Sequence, residues 1–191
     1  MPDKAAAAHY GDSMVVTFSG TDEQTNEAFL SVEATAGGWG AFDNGDGPSA
    51  LINHVSGDFK NLPIEVFETK YPIRINRYGL RPNSGGKGKY RGGLGVIREY
   101  EVLSDNTQIS LWFERSLTPG WGLFGGEAGA LPDVEIISAD ESEHLLKVNG
   151  KKLSRHDRII VRTGGGGGFG NPLERNQNDM NHDLRNGYIS E

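Results

Sequence analysis

The sequence predicts a mainly β protein of antiparallel strands, long glycine-rich loops and a short C-terminal helix. Short apolar runs alternate with a period of two along most of the chain. Glycine occupies 28 of 191 positions, roughly double the usual share of ~7%, and one stretch alone carries a helical signature. At 191 residues and 20.7 kDa the chain is sized for one domain with a buried core. No internal repeat or linker divides it, so residues 1–191 read as a single domain, with 1–8 flexible and 176–191 a helical tail.

Met14, Val16 and Phe18 alternate with Val15, Thr17 and Ser19, and Ala28 to Thr35 follows after a polar stretch, which together suggest two paired strands. Gly37 to Pro48 is a glycine-rich loop in which Trp39 and Phe42 are the expected apolar anchors. Ile64 to Thr69 and Ile73 to Tyr78 read as two short strands separated by Tyr71-Pro72. Val96 to Leu103 places Val96, Arg98, Tyr100 and Val102 on one face, and Thr107 to Glu114 does the same with Ile109, Leu111 and Phe113. Asn149-Gly150, both tolerant of positive φ, predicts a tight hairpin between Leu145–Val148 and Lys151–Leu153. Arg158 to Thr163 is the last strand. The helix is expected over Asn178 to Asn186, with Asn178 as cap, Met180 and Leu184 one turn apart and Gly187 as the stop.

The formal net charge is -7 and the sequence pI is about 5.3, which disfavours nucleic acid and anionic membranes as partners because both demand concentrated positive charge. The chain has no cysteine, which removes disulfides, thiolate catalysis and cysteine-based metal sites. Mean hydropathy is -0.50. The longest apolar stretch near the start, Ala5 to Ala8, is far short of a spanning helix of ~20 residues; a cytoplasmic protein is the expectation.

Candidate chemistry is concentrated in a few segments. Arg81, Lys87, Lys89 and Arg91 stand among Gly85, Gly86, Gly88, Gly92 and Gly93, a positive patch on an acidic chain. Bare amides can converge on an anion and a guanidinium can grip two oxygens; a solvated glycine-rich turn is the alternative. Tyr90 stands where a phosphate loop needs a hydroxyl on magnesium, so this is no Walker A motif. The run Gly164 to Gly168 permits close backbone approach, either to a neighbouring subunit or to a ligand. Glu65 and Glu68 form a possible carboxylate pair, although on a strand an offset of three sends them to opposite faces, with an ion pair to Arg74 or Arg77 as the simpler reading. The five histidines show no metal spacing, and His54, beside the glycine loop, is the one to follow.

Four segments carry a resemblance: Ala34 to Gly40, Leu62 to Pro72, Leu80 to Gly95, and Gly164 to Pro172 with Leu173-Glu174-Arg175, closed by Asp183, Gly187 and Tyr188. In these the chain resembles the C-terminal portion of hydantoinase B/oxoprolinase family members, which are usually much longer. The resemblance implies an ATP-dependent hydrolase complex opening a cyclic amide of the hydantoin or 5-oxoproline type. A hydantoinase A-type partner would hold ATP and magnesium, and a separate chain would supply the upstream part of the B-type protein. Related assemblies carboxylate acetone or acetophenone, and a non-catalytic structural role is the further alternative.

The family's metal-binding positions lie upstream, so the resemblance gives this chain no metal ligand and no cofactor of its own; a divalent metal would belong to the upstream half. The positions it carries over are Glu65 and Glu68 as catalytic candidates, Arg81, Ser84, Gly85, Gly86 and Arg91 as substrate or anion contacts, and Gly37, Gly38, Trp39, Gly165, Gly166 and Gly167 as loop or interface positions. Asn83 stands where the family often has Asp, a departure that removes an acid from that point.

Overall fold

In a computed structural model, which describes residues 4–57, 60–139 and 141–190, the strands form two antiparallel sheets. The first contains β1 (Val15–Thr21), β2 (Ala28–Glu33), β5 (Thr107–Trp112) and β8 (Lys147–Leu153), in the order β2-β1-β5-β8. The second contains β3 (Ile73–Leu80), β4 (Val96–Val102), β6 (Asp133–Ser138), β7 (Glu141–His144) and β9 (Arg158–Arg162), in the order β3-β4-β9-β6-β7. Val16 and Phe18 of β1 and Ile109 and Leu111 of β5 share one buried cluster with Tyr100 and Val102 of β4, Val134 and Ile136 of β6, and Ile159 and Val161 of β9. The inward faces of both sheets thus make a common core, and the Phe18 and Tyr100 rings meet across it at 5.1 Å.

The expected alternation on β4 holds, and it sends Arg98 inward. That side chain is 2% exposed, pairs with Glu33 at 3.0 Å, and lies over the rings of Phe67, Tyr78 and Tyr100. A buried cation needs such partners because desolvation is otherwise costly.

Three expectations are corrected. Ile64–Lys70 is a helix, α1, and not a strand. Ile64, Phe67 and Tyr71 recur at helical spacing, Glu65 sits in the first turn and Lys70 in the last, and the Phe67 and Tyr71 rings pack at 5.0 Å. Pro72 then holds Tyr71 extended and stops the helix. Asn149-Gly150 makes no hairpin but a bulge inside β8: Ile109 pairs with Lys151 and Leu111 with Val148, so Ser110 alone spans both residues. Its hydroxyl accepts from the Gly150 amide at 2.9 Å, and Gly150 has φ +63°. Finally, within the stretch expected to be flexible, Ala7 is buried and its amide donates to the Ala41 carbonyl at 2.8 Å. The C-terminal helix α2 runs Gln177–Arg185, capped by the Asn176 side chain two residues earlier than expected.

Beside the sandwich, the glycine run after β9 forms neither helix nor sheet. The amides of Gly165, Gly166, Gly167 and Gly168 donate in turn to the carbonyls of Ala130, Gly93, Ala8 and Glu127 at 2.8–3.0 Å. The direction returns to the same segment after three residues. That is the period of a polyproline II helix, which makes no internal hydrogen bonds and gives its polar groups to neighbours. Its carbonyls accept from Gly38, Gly86, Ala41 and Leu123. The run is therefore the axis of a bundle of backbone segments. A Cβ on Gly165, Gly166 or Gly167 would lie 1.7, 1.9 or 2.0 Å from the carbonyl oxygens of Ser84, Trp39 and Trp121, so a side chain has no room. The close approach in this structure is to the chain's own backbone.

Candidate functional site

The basic loop leaves β3 at Leu80, threads the glycine bundle and enters β4 at Val96. Its predicted anion contacts are engaged within the fold. The Arg81 guanidinium donates to the carbonyls of Leu131 and Thr163 at 2.8 and 2.9 Å, and burial lowers its pKa. The Ser84 hydroxyl donates to the Arg81 carbonyl at 2.6 Å and accepts from the Gly95 amide at 2.9 Å. Gly85 and Gly86 lie against the backbone of Gly92 and Glu127. These four residues hold the loop closed. Gly37 is pressed against the Tyr10 ring and Gly38 against Gly93, while the Trp39 indole donates to the Ile52 carbonyl at 2.9 Å.

Arg91 sits at the end of this loop in a group of four interacting charges. Its Nε donates to Asp183 of α2 at 3.2 Å and its Nη1 to the Gly92 carbonyl at 2.7 Å. Arg175, which follows the 3₁₀ turn Pro172–Glu174, grips both oxygens of Asp46 at 2.9 and 2.8 Å and reaches Asp183 at 2.7 Å. Burial alone would raise the Asp46 pKa, but the Arg175 hydrogen bonds, the Arg91 amide and both guanidinium charges outweigh it and hold the carboxyl below its ordinary value. Over one end, the Tyr188 ring lies 5.4 Å from the Arg91 guanidinium.

Arg91, Arg175 and Asp183 of this group form one wall of a cavity of about 530 Å³ that is also lined by Asn83, Lys87, Met180 and Ile189, and Asp46 lies behind them, paired with Arg175. Lys87 is exposed, and among the described residues its ammonium makes no hydrogen bond or ion pair. Arg175 Nε is buried without a hydrogen-bond partner. Three cations, Lys87, Arg91 and Arg175, face two carboxylates, Asp46 and Asp183, so one positive charge is left over. A cavity with the exposed Lys87 ammonium as its single unbalanced cation is suited to one anionic group.

Glu65 and Glu68 are elsewhere. Both are exposed on α1, and neither lines the cavity. On a helix an offset of three places Glu65 and Glu68 on neighbouring positions of one face, not on opposite faces as on a strand; Glu68 accepts from the Ile75 amide at 2.8 Å, while Arg74 pairs with Glu101. The 3₁₀ turn His54–Ser56 is capped by Asn53, but the His54 side chain lies outside the described residues. Among the described residues no group of three or more His, Asp or Glu side chains is placed to hold a metal ion. No helix there is long and apolar enough to cross a membrane.

Sequence reasoning missed Asp46 and did not connect Arg175 with Asp183. Sequence separations of 129 and 8 residues join Arg175 to its two carboxylates, and only tertiary packing brings them together.

Because the Asp46 pKa is lowered on folding, its stabilising contribution is complete above the unfolded value near 3.8 and is lost as pH falls through the lower folded value. The gap in melting temperature between the chain and its Asp46→Asn variant is expected to be wide near neutral pH and to close below that range. A gap unchanged into acid would contradict this assignment.

The family model for hydantoinase B/oxoprolinase matches residues 1–172. The chain belongs to the hydantoinase B/oxoprolinase family. It is 34% identical over 189 residues to the B-type component of a putative D-/L-hydantoinase of Pseudomonas sp. (strain NS671), covering 96% of this chain and 31% of that one. The ATP-dependent caprolactamase of Pseudomonas jessenii has a similar structure, with a TM-score of 0.84 and 26% identity over 99% of this chain and 34% of that one. Acetone carboxylase in its nucleotide-free form shares the fold, with a TM-score of 0.80 at 22% identity, covering 98% of this chain and 29% of that one. This hydantoinase B-type chain thus spans about a third of the length of these three proteins. The family model ends before α2, so Asp183 reaches the charged group from outside the matched region.

Proposed function

We propose that this hydantoinase B-type chain is part of an ATP-dependent complex that opens a cyclic amide of the hydantoin or 5-oxoproline type, and that its basic cavity holds the anionic group of the substrate or of its phosphorylated form. The observation that carries this reading is the cavity of about 530 Å³ with its one unbalanced cation, in a chain of this family. Resonance makes an amide a poor electrophile, and placing a phosphoryl group on its oxygen creates a leaving group. Donors fixed in a partly buried site then stabilise the added negative charge. The reading places ATP and magnesium on a hydantoinase A-type partner and any divalent metal on the upstream B-type portion, in a cytoplasmic complex.

The test is reconstitution with those two partners, supplying hydantoin or 5-oxoproline in one arm and acetone or acetophenone with bicarbonate in the other. ATP-dependent ring opening supports the proposal; carboxylation alone favours the reading suggested by the fold shared with acetone carboxylase. Lys87→Ala is expected to raise KM several-fold with the melting temperature nearly unchanged, since Lys87 is exposed and away from the core. An unchanged KM would leave the cavity a structural feature and favour a non-catalytic role for the chain, the reading that the hydrogen bonds of Arg81, Ser84 and Glu68 to backbone groups also support.

A further inference from the structure

The two sheets have four edges, and three are blunted. On β8, Lys147, Lys151 and Lys152 and the bulge at Asn149-Gly150 stand in the way of a further strand. On β3, Arg74 and Arg77 flank a second irregularity, and the Glu68 side chain occupies the Ile75 amide. The four residues of β7, Glu141 to His144, are all exposed and mostly charged. Short, charged or bulged edges of this kind prevent pairing with other chains.

The β2 edge has no such protection. Ala28 to Val32 is uncharged, and Leu30 and Val32 are 62% and 59% exposed. Among the described residues, the backbone of β2 hydrogen-bonds to β1 alone. The one charge at its end, Glu33, is turned to Arg98. Along this edge runs a groove of about 320 Å³, with Ser31 to Ala34 on one side and Lys60 to Leu62 and Tyr71 on the other.

We propose that β2 is a strand-addition site, and that the groove takes an extended, apolar segment of the B-type polypeptide that lies beyond the residues present here. The main-chain groups of β2 supply the affinity, and Leu30, Val32, Leu62 and Tyr71 select alternate apolar side chains. Two observations choose this occupant. Relatives and solved neighbours are about three times as long as this chain, so a large B-type body has to meet this domain somewhere. The groove is also walled by Asn61 to Pro63 and by Phe67, and its volume of about 320 Å³ suits a single extended segment. The proposal rests on the family reading and not on which reaction the complex performs.

The test needs no substrate, so its failure is separable from failure of the ring-opening reading. Amide hydrogen exchange at Ala28 to Glu33 is compared in the chain alone and in the assembled B-type protein, and a photo-cross-linking residue is placed at position 30. The expected result is a slowing of exchange on the order of 100-fold in the assembly, with cross-links mapping to the remaining B-type portion. Leu30→Lys with Val32→Lys should leave the melting temperature of the free chain nearly unchanged, because both side chains are exposed, and weaken assembly by on the order of tenfold or more. Exchange at β2 that stays fast in the assembly, cross-links to another copy or to the A-type chain, or wild-type chain that does not assemble would each overturn it.

Discussion

Gly166→Ala should leave little folded protein. The added methyl would lie 1.9 Å from the Trp39 carbonyl oxygen and 2.7 Å from the Gly40 amide nitrogen, distances that no rotamer change relieves because both atoms are backbone. Neighbouring segments would have to separate, breaking hydrogen bonds from Gly86 and to Gly93. Overpacking a tight interior costs about 1–3 kcal/mol when side chains can yield; here the loss should be at least ~3 kcal/mol, a large part of the stability of an ordinary domain. Gly79→Ala is the control, since nothing lies within 4 Å of its Cβ position, and it should stay within ~0.5 kcal/mol of the parent. Urea midpoints measure both. Equal stabilities would mean that the glycine bundle does not hold the fold together.

The second large effect is expected at Asp183. This carboxylate is 2% exposed and receives both Arg91 and Arg175, themselves 8% and 6% exposed. Asp183→Ala leaves two buried guanidiniums with Asp46 as their remaining carboxylate and unpins α2 from the basic loop. Removing one partner of a buried ion pair costs ~3–5 kcal/mol because the other charge stays desolvated. The variant should unfold at lower urea, and the cavity wall formed by Met180 and Ile189 should lose its order. A midpoint within experimental error of the parent would show that the charges reach water and that the cavity is not preorganised.

How much of this was legible beforehand differs by segment. Wherever a strand has one buried face, as in β1, β4 and β5, the period of two appears directly as Val16 and Phe18, Tyr100 and Val102, or Ile109 and Leu111. β7 has no buried face and hence no signal. α1 was ambiguous because Ile64 and Val66 fit a strand while Ile64, Phe67 and Tyr71 fit a helix, and the choice is made by packing Phe67 into the core. The Asn149-Gly150 pair specified a backbone with positive φ but not its setting; a bulge meets the same requirement as a hairpin turn.

The sequence by itself determined the fold class, the family and that the glycine run permits close backbone approach, because these follow from local pattern and from motifs contiguous in the chain. Tertiary structure decided what each polar group does. Arg81 and Ser84, expected at an anion, bind backbone groups of the fold, and the unmatched positive charge belongs to Lys87 only because Arg91 and Arg175 are matched by Asp46 and Asp183. A charged side chain takes its role from whichever partners desolvation forces on it, and those partners are set by folding across sequence distances that local pattern does not span.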